Sequence, residues 1–324
     1  MNKHSPYEND LHWSGVKEHG SLIGMRILLG AYKLGGSGLF RLLLFPVILF
    51  YSVFHSVARE SSLDYRRRMH SINPQFPAPA FGHSFRHIWS FANTLLDKLA
   101  VWMGKITRDD VIVHGGELID DLLARGQGAV MLISHLGNFE VCQALSESRP
   151  TLQLTVLHHT KHAEKFNQFL DSNGRDTRVE FMQVSELDVG KAMVLSEKIS
   201  AGHFIAISAD RVPIENANRA MCKNFLGHPA NFPTGPFVLA NTLAAPVLSI
   251  QCIKQNGVYN IYFELLRDGT KLARKDRQAA TDKLLSAYVE NLEHYCLKAP
   301  WQWYNFYPFW QQQNTEINQS NQDA

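Results

Sequence analysis

From residue 111 onward, short apolar runs alternate with amphipathic stretches. Val111–His114 reads as a strand and residues 117–125 as a helix. Residues 129–134, AVMLIS, are apolar without a break, as expected of a strand covered on both faces. A helix should start near Phe139. Strands are predicted at 152–157, 179–184 and 203–209, and helices at 163–171 and 186–201. After an irregular stretch, Gly235–Leu243 reads as a helix, 247–253 and 259–265 as strands, and 278–297 as a long helix. Regular alternation of this kind predicts an α/β fold in which helices flank a mixed, mostly parallel sheet.

The first third of the chain is different. Residues 1–20 are polar and irregular. Residues 39–54, LFRLLLFPVILFYSVF, form an apolar run interrupted by Arg41 and Pro46 and preceded by Gly35-Gly36-Ser37-Gly38. As a helix the run would reach about 24 Å at ~1.5 Å per residue, short of a hydrocarbon core of ~30 Å. Interfacial anchoring is therefore expected rather than a span. Residues 71–84 hold Pro74, Pro77, Pro79 and Gly82 and mark a linker, and 85–105 have apolar positions at helical spacing. The expected division is a polar segment, helical arm and linker over 1–84, a catalytic domain over 85–310, and a disordered tail over 311–324.

Charge sharpens that division. The net charge is only +2, but residues 1–108 carry +7 and the rest −5. The basic part is also the part with the apolar run, and Arg26, Lys33, Arg41, Arg59, Arg66, Arg67 and Arg68 flank it, which suits anionic lipid headgroups. Membrane is thus an expected partner and nucleic acid is not. Cys142, Cys222, Cys252 and Cys296 lie far apart with no C-x-x-C pair, so neither a disulfide framework nor a zinc site is expected.

The sharpest chemical feature is Ser134-His135-Leu136-Gly137-Asn138-Phe139-Glu140, directly after a buried strand, because ligands of open α/β sheets bind beyond strand carboxyl ends. A histidine there, with a carboxylate five residues on, can have one ring nitrogen held while the other takes a proton from a hydroxyl. His135 is the candidate base and Glu140 its orienting carboxylate, with Gly137 allowing the turn and Asn138 capping a helix. The alternative is a capped helix whose histidine happens to lie near its glutamate. His159 and Glu164 repeat the spacing within HHTKHAE; there Lys161, His162 and Lys165 suit a substrate-channel loop, and no metal site is expected.

Asp210-Arg211 ends another apolar strand, where Arg211, fixed by Asp210, would bind phosphate or steady an oxyanion. Phe225-Leu226-Gly227 precedes Asn231-Phe232-Pro233-Thr234-Gly235-Pro236, in which Thr234 is a candidate N-cap and the free N–H groups beyond it would receive an anion or a thioester oxygen. A structural ion pair and an ordinary capped helix would look the same.

These blocks, with Ala245-Pro246-Val247, occur in the order found in the LpxL/HtrB-type late acyltransferases of lipid A biosynthesis, a branch of the lysophospholipid acyltransferase superfamily, which the chain resembles over 85–310. The resemblance implies a single acyltransferase domain on the cytoplasmic face of a bacterial inner membrane, peripheral or monotopic through its arm. It also implies an acyl-carrier-protein or CoA thioester as donor, a lipid or glycolipid hydroxyl as acceptor, and no bound cofactor. His135 and Glu140 would be catalytic; Asn138, Asp210, Arg211, Thr234 and Gly235 would bind substrate. The family commonly has Asn at position 134, Gln at 211 and Tyr-Arg-Pro where this chain has Leu157-His158-His159, departures that point to a changed acceptor. The terminal segments, WSGVKEHGS and HYCLKAPWQWYNFYPFW, are similar to a divergent branch associated with aryl polyene and other specialised lipids. A hydrolase using the same histidine and a non-catalytic lipid-binding protein are the rival readings.

Overall fold

The computed structural model describes residues 22–142, 151–158, 179–183, 189–213 and 219–310. The predicted helix 163–171, the His159–Glu164 motif with Lys161, His162 and Lys165, and the tail 311–324 lie outside the described residues. Within them the fold is α/β, as the alternation predicts. Seven strands, β1 (Val111–His114), β2 (Val130–Ile133), β3 (Leu154–His158), β4 (Val179–Gln183), β5 (Phe204–Ser208), β8 (Val247–Gln255) and β9 (Val258–Arg267), make a sheet of order β1-β9-β8-β2-β5-β3-β4. Every neighbouring pair is parallel except β8–β9.

Successive side chains of β2 point to opposite faces of the sheet. Val130 and Leu132 enter a core with helices α5 (Val189–Ser200), α6 (Gly235–Leu243) and α7 (Arg277–Lys298), while Ala129 and Met131 enter the other core with α4 (Gly116–Ala124). Both faces are covered, which is why the run has no polar alternation.

Three helices precede the sheet: α1 (Leu22–Phe54), α2 (Ser56–Ile72) and α3 (Phe81–Trp102). The linker is shorter than the proline pattern predicts, because α2 continues to Ile72 and α3 starts at Phe81. Tyr65 and Met69 of α2 are buried in the main core, so this helix is built into the sheet domain.

The apolar run is also longer than predicted. It belongs to a helical stretch, Ile27–Phe54, of 28 residues, long and apolar enough by length and composition to cross a membrane. The reading of 16 residues missed the extension because Gly35–Gly38 looks like a break, whereas only Gly36 leaves helical geometry (φ 63°, ψ −158°) and kinks the rod. Tyr32, Phe40 and Leu44 pack on Ala92, Leu96 and Ala100 of α3, while Leu42 (68% exposed), Val47, Phe50 (59%) and Phe54 face outward. An outward apolar stripe of that extent on one helix marks a surface that meets lipid or another protein.

The stretch read as irregular holds an antiparallel hairpin, β6 (Ala220–Phe225) and β7 (His228–Pro233), turned through Leu226 and Gly227, both at positive φ. Pro229, Pro233 and a leucine in place of Asn or Asp at the turn hide it from a pattern reading.

Replacing Leu42 and Phe50 together by glutamate should leave the melting temperature unchanged, since both are exposed, but lower co-sedimentation with anionic vesicles about tenfold or more, because each charge placed in hydrocarbon costs on the order of 2–3 kcal/mol. Undiminished co-sedimentation would remove this face from contact with lipid.

Candidate active site

Strands β2 and β5 are parallel neighbours with Ile133 opposite Ser208. Two residues beyond each pair, the register brings His135 opposite Asp210. The imidazole Nδ1 donates to Asp210 Oδ1 at 2.7 Å, and the His135 backbone N–H donates to Oδ2 at 3.0 Å. The carboxylate is fully buried. Its oxygens also accept from Ser208 Oγ (3.1 Å), Trp303 Nε1 (3.2 Å) and Asn305 Nδ2 (3.1 Å).

Burial alone would raise the pKa of Asp210; the charge and hydrogen bonds of His135, with Arg211, outweigh it and hold the acid well below the usual carboxylate range. Asp210 is therefore an acceptor only, so Nδ1 carries the proton and Nε2 of the neutral ring is left with its lone pair. Among the described residues Nε2 has no hydrogen-bond partner, and the side chain is 33% exposed. Burial, seconded by Arg211 and Lys98, lowers the pKa of His135 below its ordinary value against the opposing pull of Asp210.

Glu140 is placed differently from the sequence expectation. Its carboxylate pairs with Lys98 of α3, and the carboxylate on the imidazole is Asp210. The reason lies in local structure: the turn after His135 tightens into a 3₁₀ segment, Phe139–Cys142, that carries Glu140 toward α3. Asp210 in turn faces His135 and the terminal segment instead of serving chiefly to aim Arg211. Arg211 spends Nε on Asn305 Oδ1 (2.6 Å) and Nη2 on the Tyr304 carbonyl (2.9 Å), so much of its guanidinium braces that segment.

Asn138 is buried, and its amide nitrogen lies 3.3 Å from the Thr94 carbonyl and 3.5 Å from the Tyr259 hydroxyl, so it ties the turn to α3 rather than capping a helix. Thr234 does not cap α6: its hydroxyl donates to the Arg219 carbonyl at 2.8 Å. Its own carbonyl already accepts from the N–H groups of Phe237 and Val238, and Pro236 has none, which leaves Gly235 few companions for an anion. Because α6 runs back antiparallel to β8, its start still lies at the end of the sheet that carries His135 and Asp210.

The aromatic terminal segment is the part that sequence reasoning missed as site structure. Trp303 is fully buried and packs on Tyr65, Phe225 and Phe309. Tyr304 donates its N–H to the His135 carbonyl (2.9 Å), and Gly137 donates to that of Gln302 (2.7 Å). Behind it, His87 of α3 donates through Nε2 to the Trp303 carbonyl (3.0 Å) and accepts from Ser62 Oγ at Nδ1 (3.0 Å). Burial lowers the pKa of His87 to about 3.

The family described as Bacterial lipid A biosynthesis acyltransferase matches residues 85–312. Two curated relatives from Mycobacterium tuberculosis strains, each called phosphatidylinositol mannoside acyltransferase, are 24% and 23% identical over 201 residues, 62% of this chain and 60% of theirs. The aligned part thus spans about 60% of the length of those relatives.

Gly137 has φ +73°, and a Cβ there would meet the Cys252 carbonyl oxygen at 1.8 Å. Gly137→Ala should cost at least ~1–2 kcal/mol in denaturant unfolding from backbone strain alone; a cost near zero would mean that this turn is not held as described. His87 makes a second prediction. A neutral histidine with a folded pKa of about 3 leaves stability intact above ~6.5, and stability falls with pH below that, by up to ~1.4 kcal/mol per pH unit. Between pH 6.5 and 4 the stability of His87→Gln should therefore fall less steeply than that of wild type. Parallel slopes would show that His87 titrates normally.

Proposed function

Because the chain belongs to the bacterial lipid A biosynthesis acyltransferase family, we propose that it moves a fatty-acyl group from a carrier-protein or CoA thioester to a hydroxyl of a membrane glycolipid, with His135 as general base and Asp210 as its orienting carboxylate. The observation that carries this reading is the His135 Nδ1–Asp210 contact of 2.7 Å on a part-exposed ring whose Nε2 has no partner among the described residues. A lipid with a sugar headgroup as acceptor is supported by the family description and by the relatives' name.

The acceptor hydroxyl gives its proton to Nε2 as its oxygen attacks the thioester carbonyl carbon. The imidazolium that forms is stabilised by the buried carboxylate of Asp210. As the tetrahedral intermediate collapses, the C–S bond breaks and Nε2–H returns the proton to the leaving sulfur. Transfer is direct: Ser134 Oγ donates to Gln251 Oε1 (2.8 Å), and no base activates Cys142 as a nucleophile among the described residues. Arg211, Thr234 and Gly235 remain candidates for acceptor or thioester contacts. The outward apolar face of α1 lies on the lipid, and the site works at the cytoplasmic face of the inner membrane, where thioester donors are made.

The test uses the full chain with palmitoyl-CoA or palmitoyl–acyl carrier protein and vesicles of total bacterial lipid, with products read by mass spectrometry. A new lipid ester is expected. Thioester hydrolysis at one rate with and without vesicles would assign a hydrolase, and donor binding without turnover a non-catalytic protein. His135→Ala should lower kcat by ~10²–10⁴-fold. Asp210→Asn should also lower it steeply, because an amide can turn its NH₂ toward the ring and hold the wrong tautomer. The acidic limb of kcat/KM in wild type should lie below the ordinary ~6.5 of histidine, since a lowered pKa keeps the base form present to lower pH. In Asp210→Asn it should move lower still as the stabilising anion is lost. A limb above 6.5, or an active His135→Ala enzyme, would contradict the assignment.

A further inference from the structure

Helix α3 has two working faces. Ala92, Leu96 and Ala100, at intervals of four, meet the apolar arm α1. His87, Ser90, Thr94 and the adjacent pair Asp97 and Lys98 lie on another face; His87, Ser90 and Thr94 reach the terminal segment, Lys98 reaches the turn that carries His135, and Asp97 reaches Lys254 of β8 and Tyr259 of β9.

Of the two adjacent residues, Lys98 grips that turn directly and Asp97 reaches it only through Tyr259. Asp97 Oδ2 accepts from Lys254 Nζ (2.8 Å) and from the Tyr259 hydroxyl (2.7 Å), which itself lies 3.5 Å from the Asn138 amide. Lys98 pairs with Glu140, with side-chain exposures of only 20% and 32%. From His135 to Asn138 the turn is also tied by Tyr304 N–H to the His135 carbonyl (2.9 Å), Gly137 N–H to the Gln302 carbonyl (2.7 Å), Asn138 N–H to the Cys252 carbonyl (2.8 Å) and Asn138 Nδ2 to the Thr94 carbonyl (3.3 Å), and the Lys98–Glu140 pair ties the 3₁₀ segment that follows.

We propose that Lys98 is a positioning residue for acyl transfer, holding the His135–Glu140 turn against α3 through its ion pair with Glu140 and keeping that carboxylate away from the imidazole. The proposal rests on the transfer reading above and deepens it. A half-buried Glu140 without its cation lies on the same turn as His135, five residues on. A negative charge turned toward the ring would compete with Asp210 for the imidazole and misalign the base. The charged groups that act on the imidazole are Arg211 and Asp210 from the end of β5 and Lys98 from α3, with Glu140 of its own turn held on Lys98; Tyr304, from the terminal segment, is raised to about 12 by burial and stays neutral.

The test is a double-variant cycle on the full chain in the palmitoyl-thioester and vesicle assay, with melting temperatures recorded for every variant. Lys98→Met and Glu140→Gln should each lower kcat roughly 10- to 100-fold, the range in which small misplacement of a catalytic group falls, with donor KM within about twofold. The double variant should be no worse than the poorer single one, because both changes break one tie. The acidic limb of kcat/KM should move to higher pH in Lys98→Met, since loss of a cation favours the protonated ring, and Lys98→Arg should restore both limb and kcat. Additive losses, a change confined to KM, or an unmoved limb in a folded Lys98→Met enzyme would overturn the proposal. If His135→Ala is as active as wild type, the transfer reading fails instead, whatever Lys98 does.

Discussion

The buried carboxylate of Asp210 is the constraint on which the rest of the site depends. An ion taken out of water costs several kcal/mol unless charge and hydrogen bonds replace the solvent. Here five donors, from His135 (ring and backbone), Ser208, Trp303 and Asn305, do so. Each has to be brought to one point. The parallel register of β2 and β5 supplies His135 and Ser208, and the terminal segment folded over the sheet supplies Trp303 and Asn305. The arrangement that satisfies the acid also leaves the histidine with its basic nitrogen outward.

The same logic explains how a distant part of the chain bears on the chemistry. The terminal segment is pinned by a fully buried tryptophan and by His87 of α3, so the helix that carries the apolar arm on one face supports the acid's donors on the other. The exposed apolar face of α1 and the His135–Asp210 pair thus lie on opposite sides of α3.

Much of the fold was legible in the sequence. The unbroken apolar runs of β2 and β5 report a sheet covered on both sides, and the strands β1, β8 and β9 and helices α6 and α7 lie where periodicity puts them, within a residue or two. Hairpin β6–β7 was not, because its prolines and its Leu226-Gly227 turn carry no alternating pattern. For the site, the loop after β2 and the acid after β5 both stood out as strand-end chemistry. Which acid serves the histidine did not, since spacing along the chain favours Glu140, whereas the partner is chosen by the register between two strands 75 residues apart. Trp303 and Asn305 gave no signal beyond an aromatic-rich terminus. The helical extent of α1 was concealed by glycines that, apart from Gly36, remain helical.

The central claim, that Asp210 and not Glu140 fixes the imidazole, is tested most directly by the tautomer of His135. Nitrogen NMR of the protein labelled with ¹⁵N-histidine, with the His135 signals assigned by their loss in His135→Gln, reads which ring nitrogen bears the proton. The account predicts a neutral ring protonated at Nδ1 near pH 7, a pattern kept in Glu140→Gln and changed in Asp210→Asn. An Nε2-protonated ring, or a pattern that responds to Glu140→Gln and ignores Asp210→Asn, would contradict it.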